Sequence, residues 1–386
     1  MNHILRDQVA APPIVDFKVR TQTIRPETNR VFDMTQALPS FPTFNEIRRR
    51  LVEDISNDDL SFYTDVPGLL SLRQEIAKHH PLGEGIDTEA LMITAGANHA
   101  MYTAMTTLFN IGDQVALVEP FYFNYDMGLK MMGLIPVYFP LKPQSGFQLV
   151  AEDLILWLEN KSVKGVILIT PNNPTGAKYA PSELLKLLQW TSKKDIEVIV
   201  DETYIHFDPG HLKEPQLTRF IGHGLSLVGS FSKSYSLTGY RVGYWATGAI
   251  PMKQALKVQD TMIICAPHIA QRAALHGLQH CGDQVQERAT KMAELEIILR
   301  EECRKLTRFK VHSVGAFFAF MEHPYRNMTA TEAAIYVYKK TGILSLPGDV
   351  FGSSQSQFLR LAFCNLDKVS LAAALSELQR LDSSGQ

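Results

Sequence analysis

The sequence predicts an α/β fold with a mostly parallel sheet sandwiched by helices, followed by a smaller α+β domain. Three observations carry this expectation. Short apolar runs recur between about Asn45 and Leu256, helix-length amphipathic segments separate them, and strand-like character returns near the carboxyl end in LSLPGDVFG and FLRLAF. The 386 residues, 45% of them hydrophobic, supply core enough for two or three domains at ~100–200 residues each.

In chain order, residues 1–44 are rich in Pro, Thr and Arg with little periodicity, and read as an irregular arm packing on the small domain and active site. Thr21, Thr23 or Glu27 could reach the site as part of a lid, against the plainer alternative of ordinary packing. The strand candidates are LMI at 91–93, VALVE at 115–119, VYF at 137–139, VILIT at 166–170, VIV at 198–200 and LSLVG at 225–229. Between them Pro181–Lys194 starts on a proline suited to a first helical turn and sets Leu184, Leu185, Leu187, Leu188 and Trp190 on one broad face. A long helical pattern from about Ala266 to Thr307 is long enough to bridge two domains. The division expected is an arm at 1–44, a large domain at 45–270 and a small domain at 271–386.

Composition narrows the function. Lys plus Arg number 38 against 40 Asp plus Glu, so no global field favours nucleic acid or an anionic membrane. The cysteines, Cys265, Cys281, Cys303 and Cys364, form no C-x-x-C pair and have no His at zinc-ligand spacing, so no metal site is expected. The opening MNHILRDQVAAPPIVDFKVR lacks a signal-peptide core, and no run approaches the ~18–20 apolar residues of a membrane span. The cytoplasm is the default compartment.

The chemistry-bearing residues follow the strands. After LSLVG comes Ser230-Phe231-Ser232-Lys233-Ser234-Tyr235, then Thr238-Gly239-Tyr240-Arg241-Val242-Gly243, placing a lysine among hydroxyls and glycines. Pro171-Asn172-Asn173-Pro174-Thr175-Gly176 follows VILIT, and Asp201-Glu202-Thr203-Tyr204 closes VIV. Each alone has a plain reading, as a solvated lysine, a turn or a helix cap. Three successive strand ends with polar groups at 173, 201 and 233 converge on one rim, where open α/β sheets bind ligands.

With YTDVPGLLSLR, TAGANHA, VEPFYFNY and LRLAF, these segments make the chain resemble the class I/II aminotransferases, fold-type I pyridoxal-phosphate enzymes, from about Asp33 to Leu371. The resemblance implies a seven-stranded large-domain sheet, a homodimer, and a pyridoxal 5′-phosphate cofactor joined as a Schiff base to Lys233. It implies that Asp201 partners the ring nitrogen, that Asn173 and Tyr204 bond the phenolic oxygen, and that Tyr122 stacks on the ring. Ala97, Asn98, Ser230 and Arg241 match the phosphate ligands, with Tyr63 reaching the phosphate across the subunit boundary. Arg360, a guanidinium in an otherwise apolar strand, matches the clamp on the substrate α-carboxylate. The implied reaction passes the α-amino group of an amino acid to a 2-oxo acid, the freed Lys233 amine moving the proton from the substrate Cα.

The chain departs from the family pattern at Ala37, where a glycine usually lies beside the substrate carboxylate. A methyl there reshapes the pocket and leaves open whether the reaction is transamination or elimination and cyclisation, for example of a hydroxylated arginine. A regulator carrying an aminotransferase-like sensor would need a DNA-binding module that the first 45 residues cannot supply. His99 beside the TAGANHA loop reads as a packed helix-start histidine, and the aromatic cluster Phe121, Tyr122, Phe123 and Tyr125 as either a site for an aromatic side chain or core.

Overall fold

The amino-terminal arm, expected to be irregular, contains a helix. The computed structural model describes residues 9–56, 58–82, 85–208 and 215–384, so the first eight residues of the arm and the last two of the chain lie outside the described residues. Helix α1 (Pro13–Thr21) starts on proline and buries Phe17 and Thr21, one turn apart, while strand β1 (Phe32–Asp33) follows. Nine residues with one buried apolar side chain give too little periodicity to stand out against the prolines before them.

Helices α2 (Asn45–Ile55) and α3 (Leu70–His79) lead into the main sheet, where each apolar run between positions 91 and 229 forms a strand. These are β2 (Leu91–Thr94), β3 (Gln114–Glu119), β4 (Ile135–Pro140), β5 (Val163–Ile169), β6 (Glu197–Asp201) and β7 (Leu225–Ser230), with β8 (Gly243–Ala246) added after the lysine loop. The order β2-β8-β7-β6-β5-β3-β4 makes seven strands, and β8 runs antiparallel to both its neighbours while the remaining pairs are parallel. The interior strands are buried almost throughout, which is why their sequences lack alternation.

Crossover helices α4 (Ala97–Leu108), α5 (Phe123–Met131), α6 (Ala151–Leu158) and α7 (Pro181–Thr191) connect its strands, and α8 (Ala249–Ile263) follows the last of them. In α7 the expected face is the one that packs, with Leu184, Leu187 and Leu188 buried; each contributes about 1.5–3 kcal/mol of burial. Leu185 and Trp190 flank that stripe, partly covered.

The single bridging helix expected between Ala266 and Thr307 is two helices, α9 (His268–His280) and α10 (Gly282–Cys303). Cys281, with φ −122° and ψ 20°, closes α9 and opens α10, and Gly282 follows directly. Beyond it, β9 (Lys310–Gly315), β10 (Phe318–Glu322), α11 (Ala330–Thr341), β11 (Ile343–Leu344), β12 (Leu346–Pro347), β13 (Phe358–Ala362) and α12 (Lys368–Ser383) complete the chain. A four-stranded antiparallel sheet has the order β12-β13-β10-β9, and β1 pairs in parallel with β11. In LSLPGDVFG only Leu346–Pro347 belongs to that sheet; the following Gly348–Phe351 is a tight helical turn.

Candidate active site

Three neighbouring strands build the site. Because β5, β6 and β7 run parallel, their carboxyl ends share one edge of the sheet, and each is followed by a polar loop. Asn173 lies in the loop after β5, Asp201 is the last residue of β6, and Ser230 ends β7 three residues before Lys233. A cavity of about 290 Å³ opens there. Its walls include Ala37, Ala97, Asn98, Tyr122, Asn173, Asp201, Tyr204, Ser230, Lys233, Arg241 and Arg360. Residues as far apart in the chain as Ala37 and Arg360 are thus brought to one place.

Tyr63 is not brought there. In the single chain it is 75% exposed and contributes no wall to the cavity. The lid alternative fares similarly: Thr21 bonds its own helix through Phe17 O, and Glu27 pairs with Lys340 at 2.6 Å. Ile14 of α1 reaches the cavity instead. His99 accepts a hydrogen bond from Ala95 N at Nδ1 (3.1 Å), the packed helix-start arrangement.

One end of the cavity is a seat for an anion. Gly96, at φ 85° and ψ 169°, is the N-cap of α4 and offers no capping side chain, so the first N–H groups of the helix are left for another acceptor. A Cβ on Gly96 would lie 2.5 Å from Arg241 Nη2, and one on Gly243 would lie 2.8 Å from Ala97 N. Both glycines therefore permit close approach, and the register Thr94↔Gly243↔Ser230 puts the start of α4 in line with the end of β7. Arg241 Nη1 donates to Thr238 O at 3.0 Å, aiming the guanidinium from a residue with φ 60°.

At the floor, Asp201 accepts hydrogen bonds from Thr203 N (2.8 Å) and from the Tyr125 hydroxyl. Burial pushes its carboxyl upward, and these two bonds work against that shift. Tyr122 packs edge-on against Tyr125, with centroids 5.4 Å apart, so part of the aromatic cluster serves the carboxylate. Burial lowers the Lys233 ammonium from 10.5 to about 8, and its Nζ donates to Ala37 O at 2.6 Å.

Arg360 enters from the antiparallel sheet, opposite Phe320 on β10. Its guanidinium lies 5.0 Å from the Phe318 ring and 5.1 Å from the Phe351 ring, donates to Asn173 Oδ1 at 3.1 Å and also to Thr35 O. Burial lowers this arginine to about 10, and its Nε is buried without a partner. A cation so enclosed, with a donor to spare, calls for an anion. Tyr204 packs against Phe317 and Phe318 at 5.4 and 5.2 Å.

Sequence reasoning missed the parts played by Tyr125, Ile14, Thr203 and the Thr35 carbonyl. Tyr125 had a signal, an aromatic two residues into a helix after a strand end, but core aromatics share it. Cavity size is no guide. A space of about 550 Å³ lies across α1, lined by Asp16, Phe17, Arg20, Phe121 and Tyr138 among others. Four of its five charged side chains pair with each other, Arg20 with Asp16 and Lys130 with Asp126, both at 2.7 Å.

Residues 29–378 match the family described as aminotransferase class I and II. An aspartate aminotransferase of Sulfurisphaera tokodaii is 29% identical over 351 residues, 86% of each chain. An aromatic aminotransferase of Arabidopsis thaliana is 30% identical over 332 residues, 83% of this chain and 82% of that one. Among solved structures, the aspartate aminotransferase from Thermus thermophilus with maleate superposes with a TM-score of 0.86 at 21% identity, covering 99% of both chains. With its sheet, its rim residues and a match over most of its length, the chain belongs to the class I and II aminotransferases, enzymes that use pyridoxal 5′-phosphate.

Proposed function

We propose that Lys233 carries the cofactor and that the cavity around it passes the α-amino group of an amino acid to a 2-oxo acid. The observation that carries this reading is the grouping of a half-buried Lys233 with the buried Asp201 and Arg360 within one cavity. The donor set fits the cofactor: an open α4 N-terminus with Ser230 and Arg241 for a phosphate, a buried carboxylate for a ring nitrogen, and an amine of lowered pKa for an aldehyde. Pyridoxal 5′-phosphate, when bound, supplies an electron-withdrawing ring that makes the substrate Cα–H acidic.

The protein's residues do the rest. Ala97 and Asn98, Ser230 and Arg241 would hold the phosphate, Tyr122 would lie against the ring, and Asn173 and Tyr204 would donate to its phenolic oxygen. Asp201 would keep a proton on the ring nitrogen, and that positive charge would in turn favour the ionised carboxylate. Arg360 binds the substrate α-carboxylate with the Nε left unpaired in the described structure. Lys233 Nζ, an amine of lowered pKa, would be the base that holds and moves the substrate Cα proton. The methyl of Ala37 narrows the wall facing Lys233.

The same reading extends to assembly. Phe62, Tyr63, Met262 and Ile269 are exposed apolar side chains, and His268 bonds Phe62 O at 3.3 Å, drawing the 62–63 and 268–269 segments together. A homodimer burying this patch brings Tyr63 to the neighbouring phosphate seat, beside an Arg241 that is exposed in the single chain. The division into arm 1–44, large domain 45–270 and small domain 271–386, and a cytoplasmic location, belong to this proposal. No helix among the described residues is long and apolar enough to cross a membrane.

The test is a half-reaction with amino acids alone, led by aspartate, asparagine and the aromatic amino acids, the substrates named in relatives. One equivalent of 2-oxo acid per subunit without ammonia supports transfer. Continuous release of ammonia or water would instead mark a lyase or cyclase.

Two further outcomes are expected. Gly96→Ala should weaken cofactor affinity about tenfold or more, because the new methyl meets Arg241 and the backbone has positive φ. Gly112→Ala controls for the conformation, since Gly112 has φ 91° with nothing within 4 Å of its Cβ position. Titration of apoprotein by cofactor absorbance reads both; equal losses at the two sites would rule out the cradle.

The second concerns pH. With Lys233 lowered to about 8, capture of the aldehyde by apoprotein should climb about tenfold per pH unit below that value and flatten above it. The sign for stability follows from a depressed lysine. Burial of this amine costs stability below about 8, and the cost fades as pH rises toward 10.5. A capture rate still climbing steeply near the ordinary lysine value would refute the assignment.

A further inference from the structure

The roof of the cavity is a loop, residues 34–40, that belongs to no strand or helix. Its carbonyls nevertheless hold two of the three cationic side chains of the site. Thr35 O takes an Arg360 N–H, and Ala37 O takes the Lys233 Nζ at 2.6 Å. Met34 anchors the near end through Met34 N to Leu344 O and Ala362 N to Met34 O, both 2.9 Å. Past Thr35 that ladder ends, and a different anchor takes over.

That anchor is one carboxamide. Asn365 Nδ2 donates to Asp33 O (3.1 Å) and Gln36 O (2.6 Å), while its Oδ1 accepts from Leu38 N (3.1 Å) and from the Cys364 thiol (3.2 Å). The bonds fall on both sides of Ala37. Asn365 itself stands five residues after Arg360, in the short turn that follows β13. The side chain thus ties the roof to the segment that carries the arginine.

We infer that Asn365 is a positioning residue, which sets the Ala37 and Thr35 carbonyls against Lys233 and Arg360. This rests on the proposed roles of those two side chains. The chemistry selects an amide: two carbonyls need donors and one N–H needs an acceptor, all from one short side chain. Aspartate, close in size, offers acceptors only and faces two carbonyl oxygens with a negative charge. Serine, with one donor and its acceptor lone pairs, can satisfy at most two of the three backbone groups.

The experiment uses holoenzyme carrying Asn365→Ala, Asn365→Asp or Asn365→Ser. Hydrogen exchange over 35–38, the dissociation constant of maleate as an unreactive carboxylate, KM and kcat for the amino acid, and the thermal midpoint are measured. In Asn365→Ala exchange of the Leu38 amide should quicken at least about tenfold, as loss of a hydrogen bond allows. Maleate affinity and 1/KM should fall together by about tenfold, with the thermal midpoint within a few degrees of the parent. Asn365→Asp should be no better than Asn365→Ala, and Asn365→Ser intermediate. Unchanged exchange, unchanged maleate binding, or an aspartate variant that restores parent behaviour would overturn the inference. If alanine or aspartate prevents folding, the serine variant decides, since full carboxylate affinity there would also overturn it. Should Lys233→Ala retain full transfer, the underlying reading fails; should it be inactive while the Asn365 variants match the parent, only this inference fails.

Discussion

Replacing Lys233 with alanine is expected to lower amino transfer by about 10⁴-fold, at the upper end of what a positioned acid–base group supplies. Two functions are removed together, the amine that holds the cofactor and the amine that moves the Cα proton. The protein should still bind pyridoxal 5′-phosphate through the α4 N-terminus, Ser230 and Arg241, but without a covalent link. Borohydride treatment followed by mass spectrometry reads the link, and the half-reaction reads the proton transfer. Loss of both with retained noncovalent binding is the expected result; a label that persists on another lysine would remove Lys233 from its role. Stability should not suffer, because the change relieves a buried amine whose charge is disfavoured below about 8.

The second large effect is expected from Asp201→Asn. Asparagine keeps the size of the side chain and can keep an oxygen facing Thr203 N, but it carries no charge to hold a proton on the ring nitrogen. Breaking a buried charge pair by removing one partner costs about 3–5 kcal/mol, so kcat/KM should fall by roughly 10²–10³-fold or more. Cofactor should remain bound through its phosphate contacts. Tyr125, which donates to the aspartate, gives a graded control: Tyr125→Phe removes one bond and keeps the carboxylate. An Asp201→Asn enzyme within threefold of the parent would exclude the carboxylate as the ring's counter-charge.

Much of this site could be read from the sequence because its residues sit where strands stop. Asn173, Asp201 and Lys233 each follow an apolar run, and parallel strands place such ends together without further information. Arg360 was readable for a different reason, as a charge inside an apolar strand. What could not be read depends on contacts between distant segments. Tyr125 lies in a run of aromatics where core packing and a bond to Asp201 look alike. Asn365 acts on backbone groups at positions 33, 36 and 38, which leave no mark in side-chain identity. Local propensity also misled in places. The prolines before α1 concealed a short helix, and the continuous helical composition from Ala266 to Thr307 concealed the break at Cys281. Tyr63 is implied only by the resemblance, and the single chain leaves it exposed.

The pairing of β1 with β11, Phe32 opposite Ile343, has a bearing on how the molecule is made. During synthesis on a ribosome the large sheet can assemble while the chain is still growing, since its seven strands all precede residue 247. The ceiling over the lysine cannot, because its near end is stitched to residues 343–344 and 362. A nascent polypeptide therefore exposes a half-built chamber until translation is nearly complete. Closing it joins segments more than 300 positions apart, the kind of pairing that forms late and slowly.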